Sequence, residues 1–428
     1  MKINIHSMQV KKKNSIVLFI FCITCLALPA QRLSLDSILH TVASENPVFD
    51  AWEARINAWN ELAKGARALD PPQAGAGFFM TPYNPSMWKS DEAAGNPGMG
   101  SFMVSGQQMF INKKKRDANA DYMNNMSSVD SAMKEDMKNE MLAMAKMNYY
   151  ELLILHKKLL ILNESEQLIE YLIKATELKY TYGMEKLNAY YKAKAMLGEI
   201  QAMKVMVLQE TGQKKIQLNT LMNRKKDQPV ETDTLFEIKN YEKTTTDSSL
   251  IASSRSGYKA ISSEIRLLGS KQKYQSSQKY PDYGIRYDHM FPFGTQPQQF
   301  SLMFMISFPF ASWSKSMYTA NVASLNYEIT EKKEIQRQYI NEVSGKIEFI
   351  KVQIAGKKKQ IELTEEIILP SMKKNYETEL LAYEQNTEML FMVLDAWQNL
   401  KTTQLTYLDQ LMQLLLLQVE YEKELEIR

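Results

Sequence analysis

Long helical segments dominate the hydrophobic pattern of this chain. No glycine or proline occurs between Asn112 and Tyr182, a stretch far longer than the helix of an ordinary globular domain. A later stretch repeats this behaviour, with interruptions expected at Gly345, Gly356 and Pro370. Near the end, apolar residues follow the alternating spacing of three and four that forms the seam of packed long helices: Leu405, Leu408, Met412, Leu415 and Val419. The pattern predicts helices that pack lengthwise.

Two pairs of short segments instead alternate apolar and polar residues with the period of a β-strand. In the last segment, every second residue is bulky and apolar: Phe300, Leu302, Phe304, Ile306 and Phe308. A bulky apolar face opposite a small or polar face is the pattern of a membrane β-barrel strand, although a soluble sheet lying on helices has it too. Two hairpins cannot close a barrel, so strands placed in lipid would require several chains to join.

The order of two strands followed by a long helix occurs twice. A short motif recurs at matching places, as Tyr180-x-x-Gly183-x-x-x-Leu187 and as Tyr383-x-x-Asn386-x-x-x-Leu390. Such a repeat predicts an object with internal pseudo-symmetry. We assign a first repeat to residues 31–224, a polar linker to 225–254 and a second repeat to 255–428, with strands near 74–82, 99–110, 281–291 and 298–310.

The start of the chain has the pattern of a secretory signal, with a basic beginning, an apolar run from Ile16 to Leu28 and a small-residue exit. We expect residues 1–30 to be removed. Four of the 52 Lys and Arg residues would go with them and leave a near balance with the 49 Asp and Glu residues, which removes the electrostatic argument for nucleic-acid binding. Cys22 and Cys25 would go as well, so no disulfide is expected.

Motifs for catalysis are absent from the sequence. It contains no His-Glu-x-x-His, no phosphate-binding Gly loop ahead of a helix and no Gly-x-Ser-x-Gly elbow. We therefore expect neither an enzyme nor a bound cofactor.

Methionine is frequent, with 27 residues, and five of them form a stripe at helical spacing: Met133, Met137, Met141, Met144 and Met147. Thioethers bind Cu(I) and Ag(I), but Met also fills irregular helix interfaces. We favour the packing interpretation, and no metal site is predicted.

Several short motifs, in order along the chain, resemble the TolC-like outer membrane factor family. They are Leu35-Asp36-Ser37-Ile38, Glu45-Asn46-Pro47, Pro71-Pro72, Gln107 to Phe110, Phe308-Pro309-Phe310, Leu369-Pro370 and Val393-Leu394-Asp395-Ala396. Each motif is weak alone, but together they cover essentially the whole chain after residue 30.

The resemblance implies a mainly α protein with a small β part. Three chains would each lend four strands to a shared 12-stranded outer-membrane β-barrel, and their helices would form an α-barrel tunnel across the periplasm. Such a homotrimer is a passive exit duct for tripartite efflux or type I secretion, and it works with a periplasmic adaptor and an inner-membrane pump. The alternative is a soluble periplasmic coiled-coil adaptor or scaffold, which would have no need of an outward apolar strand face.

The resemblance also implies roles for particular residues. The two helical hairpin tips would dock the adaptor, through Tyr180, Gly183, Leu187, Tyr383, Asn386 and Leu390. The periplasmic aperture would be lined by Asp395, with Met392 and Glu388 at neighbouring positions. Some members have an acid at the position of Met392 and a base at the position of Glu388. Because this chain has neither, the aperture could be closed by a hydrophobic constriction as well as by an ion-pair lock. The substrate is not predicted, because the pump selects it.

Overall fold

The computed structural model describes residues 33–91, 93, 95, 97–183, 185–233, 236–245 and 247–427. The predicted signal segment, residues 1–30, and both cysteines therefore lie outside the described residues. The described residues divide into two compact units, one from the ranges Met1–Pro47, Lys138–Thr245 and Lys346–Arg428, the other from Val48–Met137 and Thr246–Gly345. This division cuts across both sequence repeats, so each unit contains parts of both.

Helices make up most of the described chain. In order they are α1 (Leu35–Glu45), α2 (Pro47–Gly65), α3 (Lys113–Thr181), α4 (Leu187–Leu221), α5 (Ser248–Ser254), α6 (Ser256–Ser277), α7 (Ser312–Leu363), α8 (Leu369–Glu384) and α9 (Leu390–Leu425). Among the described residues, no helix combines the length and the apolar character needed to cross a membrane.

The second unit contains one antiparallel sheet with the order β1-β2-β3-β4. Its strands are β1 (Gln73–Phe79), β2 (Ser101–Phe110), β3 (Tyr283–Pro292) and β4 (Gln299–Ile306). Each strand overlaps a segment where alternation in the sequence predicts one. A mainly helical chain with one small sheet confirms the predicted fold class.

The longest helix, α3, follows directly from the absence of Gly and Pro after Asn112. The prediction that Gly345 and Gly356 interrupt the second long helix was wrong, because α7 passes through both. A glycine inside a helix costs only about 1 kcal/mol, which the other residues of α7 offset. Pro370 does disturb the helix, since a π-helical turn at Thr364–Ile368 precedes it. Proline supplies no N–H, and a π turn accommodates the lost bond.

The core of the first unit lies where two helical hairpins pack together. Buried residues of α3, α4, α8 and α9 form this core, and those of α4 alternate spacings of four and three, the pattern of coiled-coil packing. The core residues are Leu162, Ile169, Leu172, Ala189, Ala193, Met196, Ile200, Tyr383, Leu390, Val393, Leu394 and Trp397. This core holds the two turns that end the hairpins.

A buried carboxylate joins the linker segment to the helices of the first unit. The carboxylate of Glu422 in α9 accepts three hydrogen bonds. The donors are Nζ of Lys146 in α3 at 2.5 Å, Nζ of Lys239 at 2.9 Å and the hydroxyl of Tyr241 at 2.7 Å. Burial alone would raise the pKa of Glu422, but these three hydrogen bonds outweigh it and hold the pKa below its ordinary value. The linker is therefore fixed to the helices here.

Candidate functional site

One face of the sheet is mainly apolar across all four strands, and Gln108 and His289 are its polar members. The strand register places Phe78 opposite Phe102. Alternate residues of β3 and β4 lie on the same face. The bulky members are Phe78, Phe102, Val104, Phe110, Tyr283, Ile285, Tyr287, Phe291, Phe300, Leu302, Phe304 and Ile306. Exposure reaches 77% at Phe304 and 70% at Phe300. An exposed apolar surface that extends over several strands marks a site that contacts lipid or another protein.

The opposite face of the sheet is small or polar, apart from Phe79 and several methionines. Asp288 is buried there and forms an ion pair with Arg286 at 2.9 Å. The side chains of Met109 and Met305 converge over Gly284, in space that a Cβ would fill. This two-sided character is the one that a β-barrel wall requires, with lipid on one side and an aqueous interior on the other.

The sheet has two unpaired edges among the described residues, because β1 and β4 each pair on one side only. Unpaired backbone groups at an edge recruit other strands, and in lipid they must be satisfied. At these edges the backbone of β1 and β4 is therefore available for pairing with further strands.

Aromatic rings gather near the loop end of the apolar face. Trp88 stacks on Phe293 with ring centroids 5.3 Å apart, and Phe78 contacts both rings. The indole N–H of Trp88 donates to the carbonyl of Pro82 at 2.8 Å. Aromatic residues of this kind flank the apolar band of membrane barrels.

The two predicted hairpin turns have the same backbone conformation. Gly183 has φ +71° and Asn386 has φ +58°, the left-handed region that glycine and asparagine tolerate best. Each N–H donates to the carbonyl of the tyrosine three residues earlier, Tyr180 at 2.9 Å and Tyr383 at 3.1 Å. The next helices, α4 and α9, begin at the two corresponding leucines. The sequence motif thus describes one turn geometry used twice.

The residues of the two turns differ in exposure. Tyr180 and Leu187 are exposed on the first turn, whereas Tyr383 and Leu390 are buried in the hairpin core. The role of Tyr383 and Leu390 in adaptor docking stays a prediction, and in the single chain both side chains pack inward. They support the second turn from inside, and its exposed surface is formed by residues such as Asn386.

A lysine that sequence reasoning missed joins the two turns. Lys179, in the last turn of α3, donates from Nζ to Oδ1 of Asn386 at 2.9 Å, and its Nζ lies 3.8 Å from the ring centroid of Tyr383. Burial raises the pKa of Tyr383, so the phenol stays neutral beneath the cation. The sequence does place a basic residue, Lys179, in the last turn of a helix, where it is favourable. Its partner Asn386, however, lies far away in the sequence.

The three aperture candidates are all exposed near the start of α9. Glu388 lies in the turn, while Met392 and Asp395 share one face of the helix. Asp395 accepts a hydrogen bond from the amide of Asn399 at 3.3 Å. Within the described residues, no basic side chain forms an ion pair with Asp395. The buried face of the same segment consists of Val393, Leu394, Ala396 and Trp397.

Comparison with known proteins gives one kind of match. No protein-family model and no curated protein sequence matches the chain. The solved structure of the outer-membrane channel OprN matches with a TM-score of 0.74 and 12% identity, over 91% of this chain and 89% of its own. The outer membrane protein VceC of Vibrio cholerae matches with a TM-score of 0.72 and 15% identity, over 91% of this chain and 95% of its own. The outer-membrane channel CmeC of Campylobacter jejuni matches with a TM-score of 0.74 and 12% identity, over 91% of this chain and 85% of its own.

These neighbours are outer-membrane channels of the TolC and OprM family. The chain has the TolC-like fold. This is the fold that the sequence resemblance implies, and the match covers nearly the whole described chain.

Proposed function

We propose that this chain is the outer-membrane exit duct of an efflux or secretion system, a passive channel opened by partner proteins. The exposed apolar face of the sheet carries this proposal. In a TolC-like chain, that face is suited to outer-membrane lipid, and the smaller, more polar face is suited to an aqueous interior.

The working form is a homotrimer. A sheet with two unpaired edges is incomplete in lipid, and three copies of β1-β2-β3-β4 supply the strands of a closed 12-stranded barrel. The helices of the three chains then form the periplasmic tunnel.

The hairpin turns meet the periplasmic adaptor, which links the duct to an inner-membrane pump. Tyr180, Leu187 and Asn386 supply exposed contacts beside left-handed turns whose geometry repeats within each chain. Three chains would present six similar turns. Such a set supports an adaptor ring that contacts the turns of both repeats.

The aperture is closed by the start of α9. Three copies of Asp395 would form an acidic ring that attracts cations, and three copies of Met392 would form an apolar constriction next to it. Lys179 holds the two turns of each chain together in this arrangement. Transport energy comes from the pump, since the chain offers no catalytic motif.

The deciding experiment determines mass and shape of the purified protein in detergent, by light scattering and negative-stain imaging. We expect a trimer with a detergent-covered cap and a hollow stalk, and ion conductance after reconstitution in planar bilayers. A monomer that stays soluble without detergent would overturn the duct and favour the periplasmic adaptor or scaffold instead.

A further inference from the structure

We propose that a groove at the base of the sheet binds the phosphate group of an anionic ligand. The groove has a volume of about 460 Å³ and lies between α3, α6 and α7 in the second unit. We call it the lysine groove, after its lining residues Lys114, Lys273 and Lys279.

The charged residues that line the lysine groove are all positive. No acidic residue lines it; the other lining residues are Ala118, Gln272, Ser276, Ser277, Tyr280 and Val322. Within the described part of the chain, none of its three lysines forms an ion pair. All three lysines are exposed, and their like charges would together attract an anion that enters the groove.

Tyr280 orders two of the three lysines. The Nζ atom of Lys114 lies 4.4 Å from the centroid of the Tyr280 ring, and that of Lys279 lies 5.5 Å from it. Cation–π contacts of this kind hold ammonium groups in place while leaving their N–H donors available. The groove is therefore partly organised before any ligand arrives.

The start of α3 adds an independent reason to expect an anion. Its first turn contains Lys113, Lys114, Lys115 and Arg116 but no acidic residue, although the positive end of a helix disfavours cations. Lys115 is compensated by Asp282 at 2.6 Å, and Arg116 donates to the carbonyl of Arg67 at 3.0 Å. Lys113 and Lys114 have no carboxylate partner among the described residues. A phosphate in the groove would compensate the charge on Lys114.

The position of the groove suggests where such a group comes from. Lys114 follows Phe110, the last residue of β2, and Tyr280 precedes Tyr283, the first residue of β3. Phe110 and Tyr283 are both exposed on the apolar face. If the sheet enters the membrane as proposed above, the groove lies at the level of the lipid headgroups. A soluble phosphate ester would offer the same chemistry, so the test separates the two sources.

The test uses the full chain in an uncharged detergent and measures the first bound ligand by native mass spectrometry. The probes are phosphatidylglycerol, zwitterionic phosphatidylcholine and glycerol 3-phosphate. The groove variant is Lys114→Gln/Lys273→Gln/Lys279→Gln. Its charge-matched control is Lys225→Gln/Lys333→Gln/Lys374→Gln, which changes three exposed lysines that do not line the groove.

We expect the groove variant, but not the control, to bind phosphatidylglycerol about tenfold more weakly, the loss of three modest charge contacts. Phosphatidylcholine should bind weakly to all proteins. The same variant-dependent loss for glycerol 3-phosphate, without tight lipid binding, would assign the groove to a soluble phosphate. Equal binding by both triple variants, for every probe, would overturn the proposal.

A second pair of variants guards against misfolding of the triple variant. Tyr280→Phe keeps the ring beneath both lysines and should keep binding, whereas Tyr280→Leu should weaken it. Trimer mass and conductance are measured on the same samples. Failure of the duct proposal would appear in those readouts, independently of phosphate binding.

Discussion

Lys179 and Asn386 connect the two hairpin turns of the chain, through a hydrogen bond of 2.9 Å between Nζ and Oδ1. The bond joins the end of α3 to the left-handed residue of the second turn. The same ammonium group lies over Tyr383, so a single side chain holds both turns of the proposed tip.

Replacing Lys179 should loosen the tip without unfolding the chain. Lys179→Met removes the bond to Asn386 and the contact with the Tyr383 ring, together worth about 1 kcal/mol. We expect a larger or more frequently open conductance in planar bilayers, with unchanged trimer mass. Lys174→Met, which removes an exposed lysine of the same helix, is the control. An equal rise in both variants would contradict a role for the Lys179 contacts.

Two glycines of the same hairpin should respond to alanine with opposite signs. Gly183 has φ +71°, so Gly183→Ala should destabilise the protein by about 1 kcal/mol. Gly198 lies inside α4 with open space where a Cβ would be, so Gly198→Ala should stabilise it by about 0.5 kcal/mol. Thermal unfolding followed by circular dichroism measures both. Shifts of the same sign would argue against the left-handed turn.

Local sequence signals predicted the strands and the two turns, because period-two alternation and a left-handed Gly or Asn act over a few residues. The burial of Tyr383 and Leu390 depends on how hairpins pack, which no local pattern encodes. The contact of Lys179 with Asn386 joins residues 207 positions apart, and the sequence offered no signal for that pairing. Register across the sheet likewise brought Met109 and Met305 together over Gly284.

Neutralising Glu422 should destabilise the first unit strongly. Glu422→Gln leaves Lys146, which is also buried, without its charge partner, at a cost of about 3 kcal/mol. Thermal unfolding at neutral pH measures this cost, and Glu366→Gln, at an exposed residue, is the control. If both variants unfold alike, the ion pair makes no net contribution.

The same carboxyl predicts a loss of stability in acid. Its pKa is lower in the folded chain than the ordinary value of 4.5, so the unfolded chain takes up a proton first as pH falls. The stability that Glu422 contributes is therefore complete above about pH 4.5 and is lost as pH falls through the lower, folded pKa. The stability difference between the parent protein and Glu422→Gln should shrink over that range; a constant difference would contradict the assigned pKa.

Asp395 should control ion selectivity of the proposed duct. Asp395→Asn removes three charges from a trimer and should shift the reversal potential in a salt gradient toward that of a non-selective pore. Glu384→Gln changes an exposed acid of α8 instead and should leave the reversal potential in place. Equal shifts would mean that general surface charge, and not an acidic ring, sets selectivity.

The two faces of β4 should tolerate a lysine very differently. Leu302 lies on the apolar face opposite Tyr287, whereas Ser301 lies on the other face opposite Asp288. In lipid, Leu302→Lys should cost about 2 kcal/mol or more, and it should reduce the yield of SDS-resistant trimer in outer-membrane fractions. Ser301→Lys places its ammonium beside an acid in the proposed aqueous interior and should assemble normally. A soluble sheet lying on helices would give no such difference, because water would solvate a lysine at the exposed Leu302 position.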